Sequence, residues 1–220
     1  IPKHWKRFRS GDYGYSNPSC ILWWAVHPDG PLICYRELYV THHDAEQLAF
    51  RIREIEEAAG EWGGDSSRLR GPLDSEVFYA KGQMGPSIAE TMGSLGVWWD
   101  RASKGPGSRL AGARELMHRL QMRVGPKGEQ IPGIMFSKKC RNAIRTIPSL
   151  SADDGNAEEP RDGGEDHAFD AAAYAVMSRP TLSKKDAPRA GVGWDDDDKE
   201  KPARRGKSQR PGGNFGYGGW

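Results

Sequence analysis

The chain has 220 residues, 36% hydrophobic and 28% charged, enough to bury one good core with at most a small annex. Its 32 Lys and Arg against 30 Asp and Glu leave a formal net charge of +2, so any positive groove has to come from clustering rather than from bulk charge. No apolar run approaches the roughly 18 residues of a membrane-spanning helix, and three widely spaced cysteines (Cys20, Cys34, Cys140) without a CxxC exclude a disulfide framework and a structural zinc site, as expected of a reduced intracellular protein.

The charge is unevenly spread. Residues 179–220 hold ten basic and six acidic residues, which leaves 22 basic and 24 acidic in residues 1–178. No signal peptide opens the chain. The start at Ile1-Pro2 rather than Met reads as a fragment or processed product whose N-terminal neighbour is missing.

Residues 5–13 (WKRFRSGDY) read as a strand ending near Asp12. SCILWWAV (19–26) and PLICYRELYV (31–40) are β-branched and aromatic runs separated by the turn HPDG, which predicts antiparallel strands. The next segment repeats Ala45, Leu48, Ala49, Ile52, Ile55 and Ala59 at helical spacing and stops at Gly60, with Thr41 and Asp44 as the expected capping box. SRLRGPLD (67–74) predicts a further strand, GPSIAETMGSLG (85–96) a short helix and VWWDRA (97–102) another strand. From Ser108 a helix is predicted with Leu110, Ala113, Leu116, Met117 and Leu120 on its apolar face. The turn chemistry at Gly125-Pro126 and Pro132-Gly133 predicts a hairpin-like projection, and CRNAIRTIPSL (140–150) a short helix stopped by Pro148. An acidic loop (151–164) precedes the last helix, DHAFDAAAYAV.

Strands first, then alternating helix and strand, predict an α/β fold with a mixed sheet and helices on both faces. Beyond Arg179 the composition turns to Gly, Pro and charge, so residues 1–180 form the expected domain and 181–220 a disordered, Gly-rich charged tail. The tail's RRGKS (204–208) lacks the glycine five residues ahead of its Gly-Lys pair and follows no strand, so it is not an ATP site.

The carboxylates carry the chemistry. Asp166 and Asp170 lie four apart, hence on one helix face near its N-terminus. They read either as an ordinary first-turn acid and a solvated one, or as acids that need a cation, because Asp170 continues the apolar side of Phe169, Ala173 and Val176. Asp12 reads as a turn residue or as a site acid, with Gly11 and Gly14 leaving room for a ligand. Asp74 reads as a helix N-cap or as a third site acid. Acids at three element ends can converge on one sheet edge, and hard cations such as Mg²⁺ and Mn²⁺ take such oxygen ligands.

DYGYSNP (12–18), the strand pair around PDG, the Asp of LDSEVF, SRLAG (108–112), CRNAIRTIPSL and EDHAFDAAAY (165–174) occur in order over residues 5–180. Together they resemble the C-terminal nuclease domain of the tailed-bacteriophage terminase large subunit. The resemblance implies a ribonuclease H-like fold and a metal-dependent endonuclease that cuts concatemeric viral double-stranded DNA during packaging. It implies two Mg²⁺ or Mn²⁺ ions held by Asp12, Asp74, Asp166 and Asp170. Asp12 would bridge them, Asp170 is favoured over Asp166 as direct ligand, and His167 is an auxiliary candidate. DNA-holding candidates are Lys3, Lys6, Arg7, Arg9, Lys81, Arg101, Lys104, Arg109, Lys127, Lys138, Lys139 and Arg141. No base-reading motif stands among them, so little sequence preference is expected. The implied partners are the missing N-terminal ATPase motor domain, the portal and the small terminase subunit, with the isolated domain a monomer in the host cytoplasm at the procapsid. A Holliday-junction resolvase or transposase-like nuclease, and a non-catalytic DNA-docking module, are the alternatives.

Overall fold

The computed structural model describes residues 1–62, 69–80, 85–125, 128–156, 158–161 and 163–179. The tail expected at 181–220 lies outside these residues.

The chain lays down β1 (Arg7–Asp12), β2 (Ser19–Val26) and β3 (Leu32–Val40) as an antiparallel meander, then α1 (Ala45–Ala58). After α1 come β4 (Pro72–Leu73), a 3-10 turn (Ser75–Phe78), α2 (Ile88–Ser94), β5 (Asp100–Arg101) and α3 (Ser108–Leu120). The hairpin β6 (Met122–Val124) and β7 (Gln130–Pro132) follows, then β8 (Ile134–Phe136), α4 (Arg141–Thr146) and α5 (His167–Ser178). The main sheet has the order β5-β4-β1-β2-β3-β8. Strands β5, β4, β1, β3 and β8 run in one direction and β2 runs against them.

Strand β2 is apolar almost throughout because both of its faces are covered. Its alternation splits the core in two. Cys20, Leu22 and Trp24 pack with Phe8, Leu116, Ala143 and the Ala-rich face of α5. Ile21 and Trp23 point the other way, against Leu48 and Ile52 of α1, Met92 of α2, and Leu73. Helices α3, α4 and α5 thus cover one face of the sheet, and α1 and α2 the other. A bulge at Tyr35 shifts the β2–β3 register between Trp23 and Trp24 and adds twist to the meander. No helix among the described residues is long and apolar enough to cross a membrane. The three cysteines are free and buried.

Several local expectations are corrected. The cap of α1 lies later than Thr41: Asp44 accepts from the Gln47 amide, and the Gln47 side chain accepts in turn from the Asp44 N–H. Of the strand predicted at 67–74, residues 67 and 68 lie outside the described residues and the described part is strand at Pro72–Leu73; that at 97–102 shrinks to Asp100–Arg101. On α3 the buried positions are Gly112, Ala113, Leu116 and Arg119. Met117 and Leu120 stay 59% and 40% exposed, because the sheet-facing stripe turns away from them toward α5.

Polar residues are also fixed inside. Glu56 follows Leu48 and Ile52 at four-residue spacing on α1, so it faces the core. It accepts from Arg9 Nη1 at 2.9 Å and Trp23 Nε1 at 2.8 Å, while Arg9 Nη2 donates to the Trp98 carbonyl at 2.8 Å and the guanidinium lies 4.6 Å from the Trp99 ring. One carboxylate therefore ties α1 to β1 and β2. With side-chain exposures of 0% and 2%, neither partner can turn to water if the other is removed. Glu56→Gln is expected to lower stability by about 3–5 kcal/mol, the effect of stranding a buried charge. The urea midpoint should fall with an unchanged slope. Arg51→Ala, which breaks the exposed Arg51–Glu54 pair, should leave the midpoint close to wild type.

Candidate active site

The parallel pairing of Gly11 with Leu73 sets Asp12 and Asp74 side by side, each one residue beyond the pair at the same sheet edge. Helix α5 packs on β1 and β2 through Ala168, Ala171, Ala172 and Ala175, all fully buried. Small side chains let that helix approach closely, and its N-terminal turn brings Asp166, His167 and Asp170 to the same edge. Asp12 senses the charges of Asp74 and Asp166, and Asp170 those of Asp12 and Asp166. The four predicted acids share one site.

Each acid has a positive or proton-bearing neighbour. His167 Nδ1 lies 2.8 Å from Asp12 Oδ2. Lys104 Nζ donates to Asp74 Oδ1 at 2.9 Å and to Glu76 Oε1 at 3.3 Å. Arg109 Nη2 donates to Asp166 Oδ2 at 2.8 Å, and its Nε stands 3.9 Å from Asp170 Oδ1. Asp74 also caps the 3-10 turn by accepting from the Glu76 amide, so its capping and site roles coexist.

Burial sets the protonation behaviour. It raises the pKa of Asp12, with the His167 hydrogen bond working against the rise and the Asp74 and Asp166 charges adding to it. It pushes Asp170 up to about 7, with Arg109 opposing and the Asp12 and Asp166 charges adding. The Asp12 hydrogen bond raises His167. Tyr174, one turn beyond Asp170, is raised by burial and then by the Asp74, Asp170 and Asp12 charges.

The donor chemistry suits hard divalent cations: buried or half-buried carboxylates at a strand end, a second strand end and a helix start. Among the described residues no group of three or more His, Cys, Asp or Glu side chains is arranged to hold a metal ion as the side chains stand. Three of the carboxylates are instead turned onto Arg109, Lys104 and His167.

Sequence reasoning misplaced several residues. Arg9 cannot hold DNA, being fully buried on Glu56. Lys6 and Arg7 lie at the opposite end of β1, roughly 17 Å from Asp12 by strand rise, and Arg7 Nη1 is bound to Glu61 at 2.5 Å. Arg101 stacks over Phe78 and Tyr79. Lys104 and Arg109, expected on DNA, face the acids. Lys138, Lys139 and Arg141 are exposed beyond β8, whose last residue, Phe136, is level with Phe8, four strand positions short of Asp12, and Lys3 is exposed at the far end. Lys81 and Lys127 lie outside the described residues. On the Cβ side of Gly11 and Gly14 the protein's own atoms fill the space: a Cβ on Gly11 would meet Ile21 and Leu73 side-chain atoms at 2.7 and 2.9 Å, and one on Gly14 the Asn17 carbonyl oxygen at 2.5 Å. Tyr174 lines a cavity of about 100 Å³ with Lys104, Arg109 and Asp170. Its place one turn after Asp170 in the helix was the signal that could have found it.

No family model and no curated protein matches the sequence. Solved structures do. The large terminase of a thermophilic bacteriophage superposes with a TM-score of 0.58 at 18% identity, covering 80% of this chain and 40% of that one. The g2p large terminase nuclease domain of bacteriophage SPP1, solved with bound Mn, gives 0.54 at 18% identity over 78% of this chain and 85% of that one. The P22 large terminase nuclease domain gives 0.55 at 15% identity over 81% and 84%. The chain has the ribonuclease H-like fold of the terminase nuclease domains. It spans about 40% of the length of the thermophilic phage's large terminase.

Three groups at the edge hold a proton more tightly folded than unfolded. Asp170 titrates near 3.8 when unfolded and near 7 when folded, Asp12 is shifted upward too, and His167 is raised above 6.5. Each shift stabilises the fold at the acid end and loses that contribution as pH rises through the folded pKa. In chelator, the Asp170 contribution to the melting temperature should decline from about pH 4 to about pH 7, and Asp170→Asn should flatten the decline. A contribution that climbs across this window contradicts the assignment.

Proposed function

We propose that this chain is the nuclease domain, residues 1–180, of a phage terminase large subunit, a divalent-metal-dependent endonuclease that cuts concatemeric double-stranded DNA during packaging. The observation that carries the proposal is the convergence of Asp12, Asp74, Asp166 and Asp170 on one sheet edge of a fold shared with terminase nuclease domains. Asp12, Asp74 and Asp170, with Asp166 beside them, would hold two Mg²⁺ or Mn²⁺ ions. Bound there, the ions would supply Lewis-acid stabilisation of the phosphodiester and a more acidic water.

The chain's own groups do the rest. Asp12 is fixed by β1 on one side and His167 on the other, so its carboxylate cannot swing away from the edge. His167 keeps Nδ1 on Asp12, which orients the ring and leaves Nε2 to take or return a proton at the reacting oxygen. Lys138, Lys139 and Arg141, exposed beyond β8, would neutralise DNA phosphates. Their contacts carry no base information, which favours cutting with little sequence preference. Cutting coupled to packaging requires an ATPase motor, and the portal and small subunit are the partners that a packaging role entails. The isolated domain would act as a monomer in the host cytoplasm.

Supercoiled plasmid incubated with the protein and Mn²⁺ should be nicked and then linearised without preferred positions. Asp12→Asn should slow this by more than about 100-fold, the upper effect of removing a supporting group around a metal, while retaining its circular dichroism spectrum. Cleavage confined to four-way junctions would show a resolvase instead. No cleavage by the folded native chain would leave a DNA-docking module.

A further inference from the structure

Lys104 and Arg109 divide burial with their partners in an uneven way. The Lys104 side chain is 38% exposed and Asp74 13%; Arg109 is 31% exposed and Asp166 12%. The acids are anchored at element ends, and the cations cover them from the solvent side. Both cations lie on or beside the segment joining β5 to α3, which contains Gly105, where an added Cβ would meet nothing within 4 Å, and Gly107, at φ +75°. Arg9 and Glu56 are the contrast, sealed at 0% and 2%.

Charge balance decides what the pairs are for. Five carboxylates, counting Glu76 beside Asp74, are met by one ammonium, one guanidinium and one imidazole. Two divalent cations at the same edge would neutralise the four site acids by themselves. Lys104 and Arg109 would then be repelled from the acids and left beside an incoming phosphate. A guanidinium can clamp a phosphate through two N–H groups, and an ammonium serves it as a point charge.

We propose that Lys104 and Arg109 are exchangeable counter-ions: they hold Asp74, Asp166 and Asp170 in the metal-free protein, are displaced by divalent cations, and pass to phosphate oxygens of the bound DNA strand. The proposal rests on the nuclease assignment and specifies how the site is kept closed without metal. It makes the two residues competitors of the metal and partners of the substrate, two roles that a fixed structural ion pair would not combine.

Calorimetric titration of Mn²⁺ into the metal-free native protein, Lys104→Met and Arg109→Gln, without DNA, tests this directly. Each variant should bind Mn²⁺ about two- to fivefold more tightly than wild type, as expected when a competing, partly exposed ion pair is removed. Asp12→Asn should lose most of the binding, which places the signal at this edge. In a second arm, duplex binding is read by fluorescence anisotropy across a salt series. With Ca²⁺ present, Lys104→Met should show a salt slope smaller by about one, the loss of one phosphate contact. In chelator its slope should equal that of wild type. Mn²⁺ affinity unchanged or weakened in both variants, with wild type binding normally, overturns the counter-ion proposal and leaves the nuclease assignment standing. No Mn²⁺ binding by wild type overturns both. Should Arg109→Gln fail to fold without metal, Lys104→Met, altered on an exposed segment, decides the outcome alone.

Discussion

Four carboxylates at one sheet edge repel one another, and the structure around them is organised by that fact. Two like charges roughly 4 Å apart near a protein surface cost about 4 kcal/mol, a large share of the roughly 5–15 kcal/mol that holds a domain together. The fold accepts the strain because other contacts fix each acid. Asp12 and Asp74 follow directly from the paired residues Gly11 and Leu73, and the absence of a side chain at Gly11 lets the Ile21 and Leu73 side chains close over that pairing. Asp166 and Asp170 are delivered by a helix whose alanines are packed flush on the sheet. Backbone geometry thus holds the acids together, and the repulsion is answered by charge and protonation rather than by separation.

The chain uses ion pairs in two physically different ways. Arg9 and Glu56 are sealed beneath β1, with Trp23, the Trp98 carbonyl and the Trp99 ring completing their surroundings. Desolvation works against both charges, so the pair persists because the two groups bond each other and further partners, although the Arg9 Nε has none, and its value is to lock α1 onto the sheet. Lys104 and Arg109 are part-exposed over acids that are less exposed than they are, so they are more open to water than Arg9 and Glu56. A pair of that kind is a poorer structural clamp than a sealed one, and under the proposed function it would be the pair to give way to another cation. The same chemistry gives rigidity at one end of β1 and exchange at the other.

Much of this is legible in the sequence. The continuous apolar run of β2, the meander around the PDG turn, the 3.6-residue period of α1 and the Ala-rich α5 carry strong periodic signals, and the four acids stand at their ends. What escapes has a weak local signal or depends on tertiary contact. Strands β4 and β5 are two residues each, too short for any alternation to register. Glu56 sits at a helical core position, but a lone Glu there reads as surface unless its distant partner Arg9 is known. Arg9 itself reads as a basic residue of an opening strand, a reasonable inference from charge that burial overturns. Met117 and Leu120 fit a helical stripe on paper, but the stripe that α3 actually buries is set by where α5 lies. Lys104 and Arg109 stand out as cations near the site, yet nothing local tells whether they face the substrate or the acids.

The low identity to the structural neighbours, 15–18% over about four-fifths of the chain, is itself explained by this division of labour. A two-sided core needs apolar residues of roughly the right volume at alternating positions, and many combinations satisfy that. The strand alternation can be kept while nearly every identity changes. The acidic edge is less forgiving, because moving one acid by a single strand position would turn it to the other face of the sheet. Position along the strand and helix therefore constrains the site more tightly than residue identity constrains the core. That is why a handful of acids at element ends, spaced over more than 150 residues between Asp12 and Asp170, gave a sharper signal than any stretch of the hydrophobic scaffold.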